Sequence, residues 1–456
     1  MNNVIADKNI MASLMKFLLL FLFLPLTLFP QISGPGATLT LDDCLNIALE
    51  KNFDLLISME RIDVAEAGLR SSFGEYLPTI SANIGYSRQL NNLSQSLVFG
   101  DRVIQSNQNP NRYNATTGAR LTLFDGFSRE YNYSASKDNL ESVKFNVEQL
   151  KRDIKIQVYR AFTEVVRNRQ IVRIRLENIQ LGKSDLEKMK AQYEAGVSAL
   201  PQIYSQEAEL GNLEYDLLTA ENSHVTSKAN LLMLMGLAPD LEVNFDINSI
   251  PAEVTEKEVD SFYNNHKDQD ELVRKALNNR YDIKSYDLSE NAAKAAKKAA
   301  EGNYYPNVSA STGWSWANTE INDFSTRGNF ALGLNLSVPI FNNFRTDQQV
   351  QNAELQQKQA EIEKQRLENQ VRNEVKTALL TLEISQKQLK VSDKSYESSK
   401  RNNESTKERY KVGAATVLEL QTSNAQFINS QLNRVNAVYN YFKSKKELLN
   451  SIGVEQ

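Results

Sequence analysis

The chain has 456 residues, enough for two or three ordinary domains, and its formal net charge of −4 speaks against a basic nucleic-acid surface. One cysteine (Cys44) excludes an internal disulfide framework, and two histidines (His224, His266) leave little material for a metal site or a histidine-based catalyst. No nucleophile–base pair, glycine-rich phosphate loop or metal-ligand spacing stands out, so no catalytic, cofactor or metal residue is predicted and the chain is read as a non-enzyme.

Residues 1–36 read as an export signal. Lys8 and Lys16 precede the apolar run Phe17–Phe29. That run is about 13 residues, right for a signal peptide and too short to cross a bilayer of ~30 Å as a helix. No clean small-residue cleavage site follows, and an uncleaved anchor is the alternative. Cys44 lies well past the apolar run and reads as a helix residue. No other stretch approaches 18 apolar residues, so an exported chain without a transmembrane helix is expected.

Leu41 to about Phe73 is helical in pattern, with Leu45, Ala48, Leu49, Leu55, Ile62, Ala65 and Leu69 mostly at three- and four-residue spacings. A strand is predicted over 79–89, where Ile80, Ala82, Ile84 and Tyr86 alternate with Thr79, Ser81, Asn83 and Ser87. Residues 90–114, polar and Asn-rich, read as a loop. A second strand is predicted over 115–124. From Arg129 to Tyr193 there is no proline and one glycine, a helix of roughly 100 Å if unbroken. Its apolar positions, Leu140, Val143, Val147, Leu150, Ile154, Val158, Ala161 and Val165, form a coiled-coil-like seam. Gly196-Val-Ser-Ala-Leu-Pro201 breaks it, and the next helix runs to Met235 before Gly236 and Pro239.

After a linker at 237–268 the pattern recurs. Tyr76-Leu-Pro78 matches Tyr304-Tyr-Pro306 at an offset of 228. Strands are predicted over 307–317 and 330–341, the first carrying Trp314 and Trp316. Phe341, Gly413 and Gly453 then match Phe124, Gly196 and Gly236, each at an offset of 217. The seam agrees too: Val371, Val375, Ala378 and Leu382 fall on Ile154, Val158, Ala161 and Val165. The helices tolerate no net insertion, while the first polar loop is longer. Two repeats are therefore expected, 37–236 and 269–456, with the linker at their equator.

Four strands cannot close a barrel, and an open sheet edge is not tolerated in lipid. If they are membrane strands, several chains must pool them. Two chains would give eight strands, whose interior side chains fill, and three would give twelve, room enough for a channel.

The ordered set of these features resembles the outer-membrane efflux protein family, the TolC-like channels. The resemblance covers about 39–456 and rests on the duplicated helix–strand–strand–helix–turn–helix unit, the two Tyr-x-Pro strand starts, Phe124-Asp-Gly126, Gln192-Tyr-Glu-Ala-Gly-Val-Ser198 and Glu408-Arg-Tyr-Lys-Val-Gly-Ala414. It implies an α+β membrane protein: a homotrimer with a twelve-stranded β-barrel in outer-membrane lipid and a periplasmic α-barrel of long coiled-coil helices. It implies a passive conduit exporting small molecules from an inner-membrane pump (RND or ABC type) through a periplasmic adaptor, or membrane fusion protein. A protein or polysaccharide secretion channel shares this architecture; an exported scaffold without a pore is the reading from another class.

Carried over by position, the tip turns that contact the adaptor are Gly196, Val197 and Ser198, and Gly413, Ala414 and Ala415. The gate positions are Tyr410, three residues before the second glycine, and Glu419, six after it. Trimerisation would set three Glu419 carboxylates in a ring, attractive to cations. The sequence departs from the family at Ala415, where an arginine is common, at Thr422, where a second acid is common, and at Gln202, which replaces the acid of the first copy. Plain readings stand beside these: Glu419 as a solvated helix acid, Tyr410 as turn packing, Trp314 and Trp316 as core and not interfacial anchors.

Overall fold

The structure, a computed structural model, describes residues 38–90, 94–99, 102–107 and 109–454. The export signal predicted at 1–36 lies outside the described residues. Strands are β1 (Thr38–Leu39), β2 (Thr79–Arg88), β3 (Ser94–Phe99), β4 (Arg102–Asn107), β5 (Asn111–Phe124), β6 (Asn244–Phe245), β7 (Asn307–Asn318) and β8 (Gly328–Ser337). Helices are α1 (Leu41–Lys51), α2 (Phe53–Gly74), α3 (Ser128–Glu194), α4 (Leu200–Leu234), α5 (Glu256–Asn265), α6 (Gln269–Asn279), α7 (Tyr281–Glu301), α8 (Phe324–Arg327), α9 (Arg345–Lys411) and α10 (Val417–Ser451).

The two long helices, α3 and α9, each have 67 residues, and the two that follow the turns, α4 and α10, each have 35. At 1.5 Å per residue these are rods of roughly 100 and 52 Å. Each long rod is therefore partnered by two shorter ones placed end to end. Toward the strands, α3 and α9 run with α2 and α7; away from them, with α4 and α10. A cross-section away from mid-length thus meets four helices.

The predicted seam is the core. Leu140, Val147, Ile154, Val158 and Val165 of α3 and Val371, Val375 and Leu382 of α9 are buried. Two apolar clusters form near mid-length, one around α1, α3 and α4 and the other around α5, α6, α7, α9 and α10. Residues of the predicted linker enter both: Val243, Phe245 and Ile250 the first, Val259 the second. The segment is therefore structured, with β6 pairing in parallel with β1 and α5 held by a Thr255–Glu258 capping box.

Four expectations need correction. The helix read over 41–73 is two helices, because Asn52 leaves the helical region and caps α2, its Oδ1 accepting from the Leu55 N–H at 3.1 Å. The Asn52 Nδ2 also donates to the Leu234 carbonyl at 2.8 Å, so the break is fixed by the end of α4. The loop read over 90–114 contains the antiparallel pair β3–β4. The second strand begins at Asn111 instead of 115. The fourth begins at Gly328 and ends at Ser337, short of 341, since Pro339 has no N–H to continue the ladder.

The main sheet is antiparallel in the order β2-β5-β7-β8, so β2 and β8 are open edges within one protomer. Register sorts its two faces. Ile80, Ala119, Thr312 and Leu332 lie in one row, and Ala82, Thr117, Trp314 and Phe330 in the next. On the opposite face Thr79, Arg120, Ser311 and Gly333 align, then Ser81, Gly118, Gly313 and Ala331. The first face is strongly exposed, Ile84 at 90 %, Leu332 at 80 % and Leu334 at 78 %, which water would penalise and lipid would not. No described helix is long and apolar enough to cross a membrane.

Candidate functional site

The far end of the rods is built from two turns at matched positions. Gly196 (φ +73°) and Gly413 (φ +76°) adopt the left-handed conformation, with open space where a Cβ would stand. Both close their helix in the same way. The Val197 N–H donates to the Gln192 carbonyl at 2.8 Å, and the Ala414 N–H to the Arg409 carbonyl at 2.8 Å. Ser198 and Ala415 complete the turns. Val197, Val412 and Leu418 are 80, 79 and 72 % exposed, so the tip presents apolar side chains to solvent.

The restart of each hairpin differs. After Gly413, Thr416 caps α10: its Oγ1 accepts from the Glu419 N–H at 3.2 Å, and the Glu419 carboxylate accepts from the Thr416 N–H at 2.7 Å. Arg409 lies 3.8 Å from the same carboxylate. These bonds, the Thr416 backbone N–H foremost, hold the Glu419 carboxyl below its usual range. After Gly196, Ala199 offers no side-chain cap, and the turn relies on Pro201 near the start of α4 and a 2.6 Å bond from Ser198 Oγ to Gln202.

Tyr410 is half-buried, and its hydroxyl lies 3.5 Å from Gln192 Oε1 on α3. It lines a cleft of about 600 Å³ between α3 and α9 with Met189, Lys188, Glu404 and Leu420. Burial, then the nearby Asp185, pushes its phenol upward. Further along, Gln421 joins the two hairpins. Its Nε2 donates to Gln206 Oε1 and its Oε1 accepts from Ser205 Oγ, both at 3.2 Å. Gln206 in turn donates to the Gly182 carbonyl of α3 at 3.3 Å. The hairpin joint is polar here and apolar at mid-length.

Thus Tyr410 touches the facing hairpin, while Glu419 is engaged with the start of its own helix. Trp314 and Trp316 sit at the other end of the molecule, on the apolar sheet face. Trp316 is 4 % exposed, stacked on Phe324 of α8 at 4.4 Å, so its ring is covered by its own chain; Trp314 is half-buried. In the sequence Gln192 stands out only as the first residue of the 192–198 stretch, and Gln206 and Gln421 not at all, because glutamine on a polar helix gives no signal of its own. Thr416-x-x-Glu419 did carry one, the capping-box spacing.

Residues 44–237 and 272–454 match the family model for outer membrane efflux protein. The chain belongs to that family. It is 22 % identical over 418 residues to outer membrane efflux protein BepC of Brucella suis, covering 91 % of this chain and 85 % of the relative. Against outer membrane protein TolC of Vibrio cholerae it is 22 % identical over 427 residues, covering 91 % and 90 %. The solved outer membrane protein VceC from Vibrio cholerae superposes with a TM-score of 0.74 at 18 % identity, over 91 % of this chain and 96 % of that one.

An outer membrane efflux protein is a channel and not an enzyme. The open edges β2 and β8 acquire their meaning from this. Three efflux-protein protomers pool four strands each into a twelve-stranded barrel in the outer membrane, and their helices form the periplasmic tunnel. Such channels work with a periplasmic adaptor and an inner-membrane pump in tripartite efflux.

Proposed function

We propose that the helical tip is where this efflux channel both meets its adaptor and closes. In this reading Gly196, Val197 and Ser198 with Gly413, Ala414 and Ala415 form the docking contact, and Tyr410 and Glu419 belong to the gate. The observation that carries it is the matching of the two hairpins. Two helices of equal length bring two left-handed glycine turns, with exposed Val197 and Leu418 beside them, to corresponding ends. Exposed apolar side chains at a tip cost stability in water and gain it under a partner. The repeats 37–236 and 269–456 supply one hairpin each, and the segment 237–268, packed into both apolar clusters, forms the equator. The exported cargo is small molecules handed over by the pump.

The test replaces Gly196 or Gly413 by tryptophan. Each glycine has positive φ, so a side chain is strained there although space is open, and the turn would deform. Export by cells carrying either variant should fail while trimers of normal mobility are recovered from the outer membrane. Undiminished export would place docking elsewhere.

A further inference from the structure

The four strands of the sheet contain three arginines, Arg88, Arg112 and Arg120, and no aspartate, glutamate or lysine. Arg88 pairs in register with Asn111 and shares the apolar face, at the end remote from the helices. Arg112 and Arg120 lie on the other face, opposite Ser87 and Thr79, among Ser, Thr, Asn and Gly. Both are exposed, and neither has an ion-pair partner among the described residues. At about 3.4 Å per residue they stand roughly 27 Å apart along β5, Arg120 near the helical base and Arg112 near the far mouth.

We propose that the inner wall of the barrel selects for anions, so that the favoured cargo is small molecules bearing carboxylate, sulfate or phosphate. This rests on the channel reading and extends it to a substrate class. Three identical protomers set Arg120 and Arg112 into two rings of three. Because every strand of the barrel comes from the same chain, no acidic residue on any barrel strand can neutralise either ring. Acids flank the strands outside the wall at both ends, Glu320 and Asp323 in the β7–β8 connection at the mouth and Asp125 at the base, where Arg129 binds it at 3.0 Å. Wall-lining arginines in a low-dielectric tube concentrate anions, and the guanidinium fork fits carboxylate and phosphate with two parallel bonds. The polar rows between the rings offer hydroxyl and amide contacts without counter-charge.

The experiment uses purified trimer in a planar bilayer under a KCl gradient, with sodium tripolyphosphate added on the outer-mouth side. The double variant Arg112→Gln with Arg120→Gln should move the reversal potential toward that of potassium. It should also weaken block by tripolyphosphate by roughly tenfold or more. The pair Arg112→Lys with Arg120→Lys, which keeps the charge, should retain block. Conductance with reversal potential and block unchanged in the glutamine variant overturns the anion-selective wall and leaves the channel standing. Absence of any conductance from well-formed wild-type trimers overturns both.

Discussion

At the base of the strands, Asp125 is bound by Arg129, whose guanidinium also reaches the carbonyls of Thr122 and Leu123 and lies over the Tyr76 ring. At the same positions of the second half, 217 residues on, stand Asn342 and Thr346, joined by one 2.6 Å bond from the amide to the hydroxyl. The backbone around them is the same. Gly126 and Phe127 are left-handed, as are Asn343 and Phe344, and Phe124–Phe127 and Phe341–Phe344 meet edge to face at 5.4 and 5.5 Å. The tips repeat the lesson, with a capping box in one and proline in the other. Chain path and rod length are duplicated; the polar fastenings are not. Geometry is what both halves must share to join the same tube, whereas each fastening only has to hold locally.

That contrast can be broken most sharply at the strand base. Arg129→Ala leaves Asp125 without its cation in a mostly buried site and should cost about 3–5 kcal/mol. Thr346→Ala removes one neutral hydrogen bond and should cost about 1 kcal/mol. Thermal dissociation of the trimer, followed on unheated and heated gels, should show a large drop for the first and a small one for the second. Equal drops would mean that the ion pair has no special weight.

The middle of the molecule gives a smaller difference. Gly236 and Gly453 end α4 and α10 with φ near +72°. A Cβ on Gly236 would meet the Lys51 carbonyl oxygen at 2.1 Å, whereas one on Gly453 would meet Asn279 Cβ at 3.1 Å. Both alanine variants bear the left-handed cost of roughly 1–2 kcal/mol, and Gly236→Ala adds a backbone clash. Its melting temperature should fall further than that of Gly453→Ala. The reverse order would show that the two junctions are not packed as described.

How much of this was legible in the sequence follows the same division. Equal rods, glycine turns and two-faced strands could be read, because proline, glycine and apolar spacing act locally and the second copy checks the first. What escaped was set by contacts distant in sequence. The break at Asn52 carries no proline or glycine; it exists because its amide binds Leu234, as Arg280 binds Ser451 in the other half. The β3–β4 pair was hidden by polar composition, although Gly100-Asp101 between two β-prone runs is a hairpin signal. At the tip, family resemblance drew attention to Glu419 as a gate acid, and its bond to Thr416 is a purely local feature that spacing alone announced.

The finest difference lies between the two tips and is set by pH. Glu419 has its carboxyl lowered from 4.5, chiefly by the Thr416 backbone N–H, whereas the first tip has Gln202, which does not titrate. A lowered folded-state value means the capped form is favoured by the charged carboxylate. The contribution is therefore complete above pH 4.5 and fades as pH falls through the lower folded value. Amide exchange at the start of α10 should accelerate below that pH, relative to a neighbouring helix, while the start of α4 shows no such step. Glu419→Gln should flatten the dependence, and Thr416→Ala should raise exchange at every pH, equivalent to about 1 kcal/mol of lost cap. A step of the same size in both tips would locate the titrating group outside the capping box and remove the local account of Glu419.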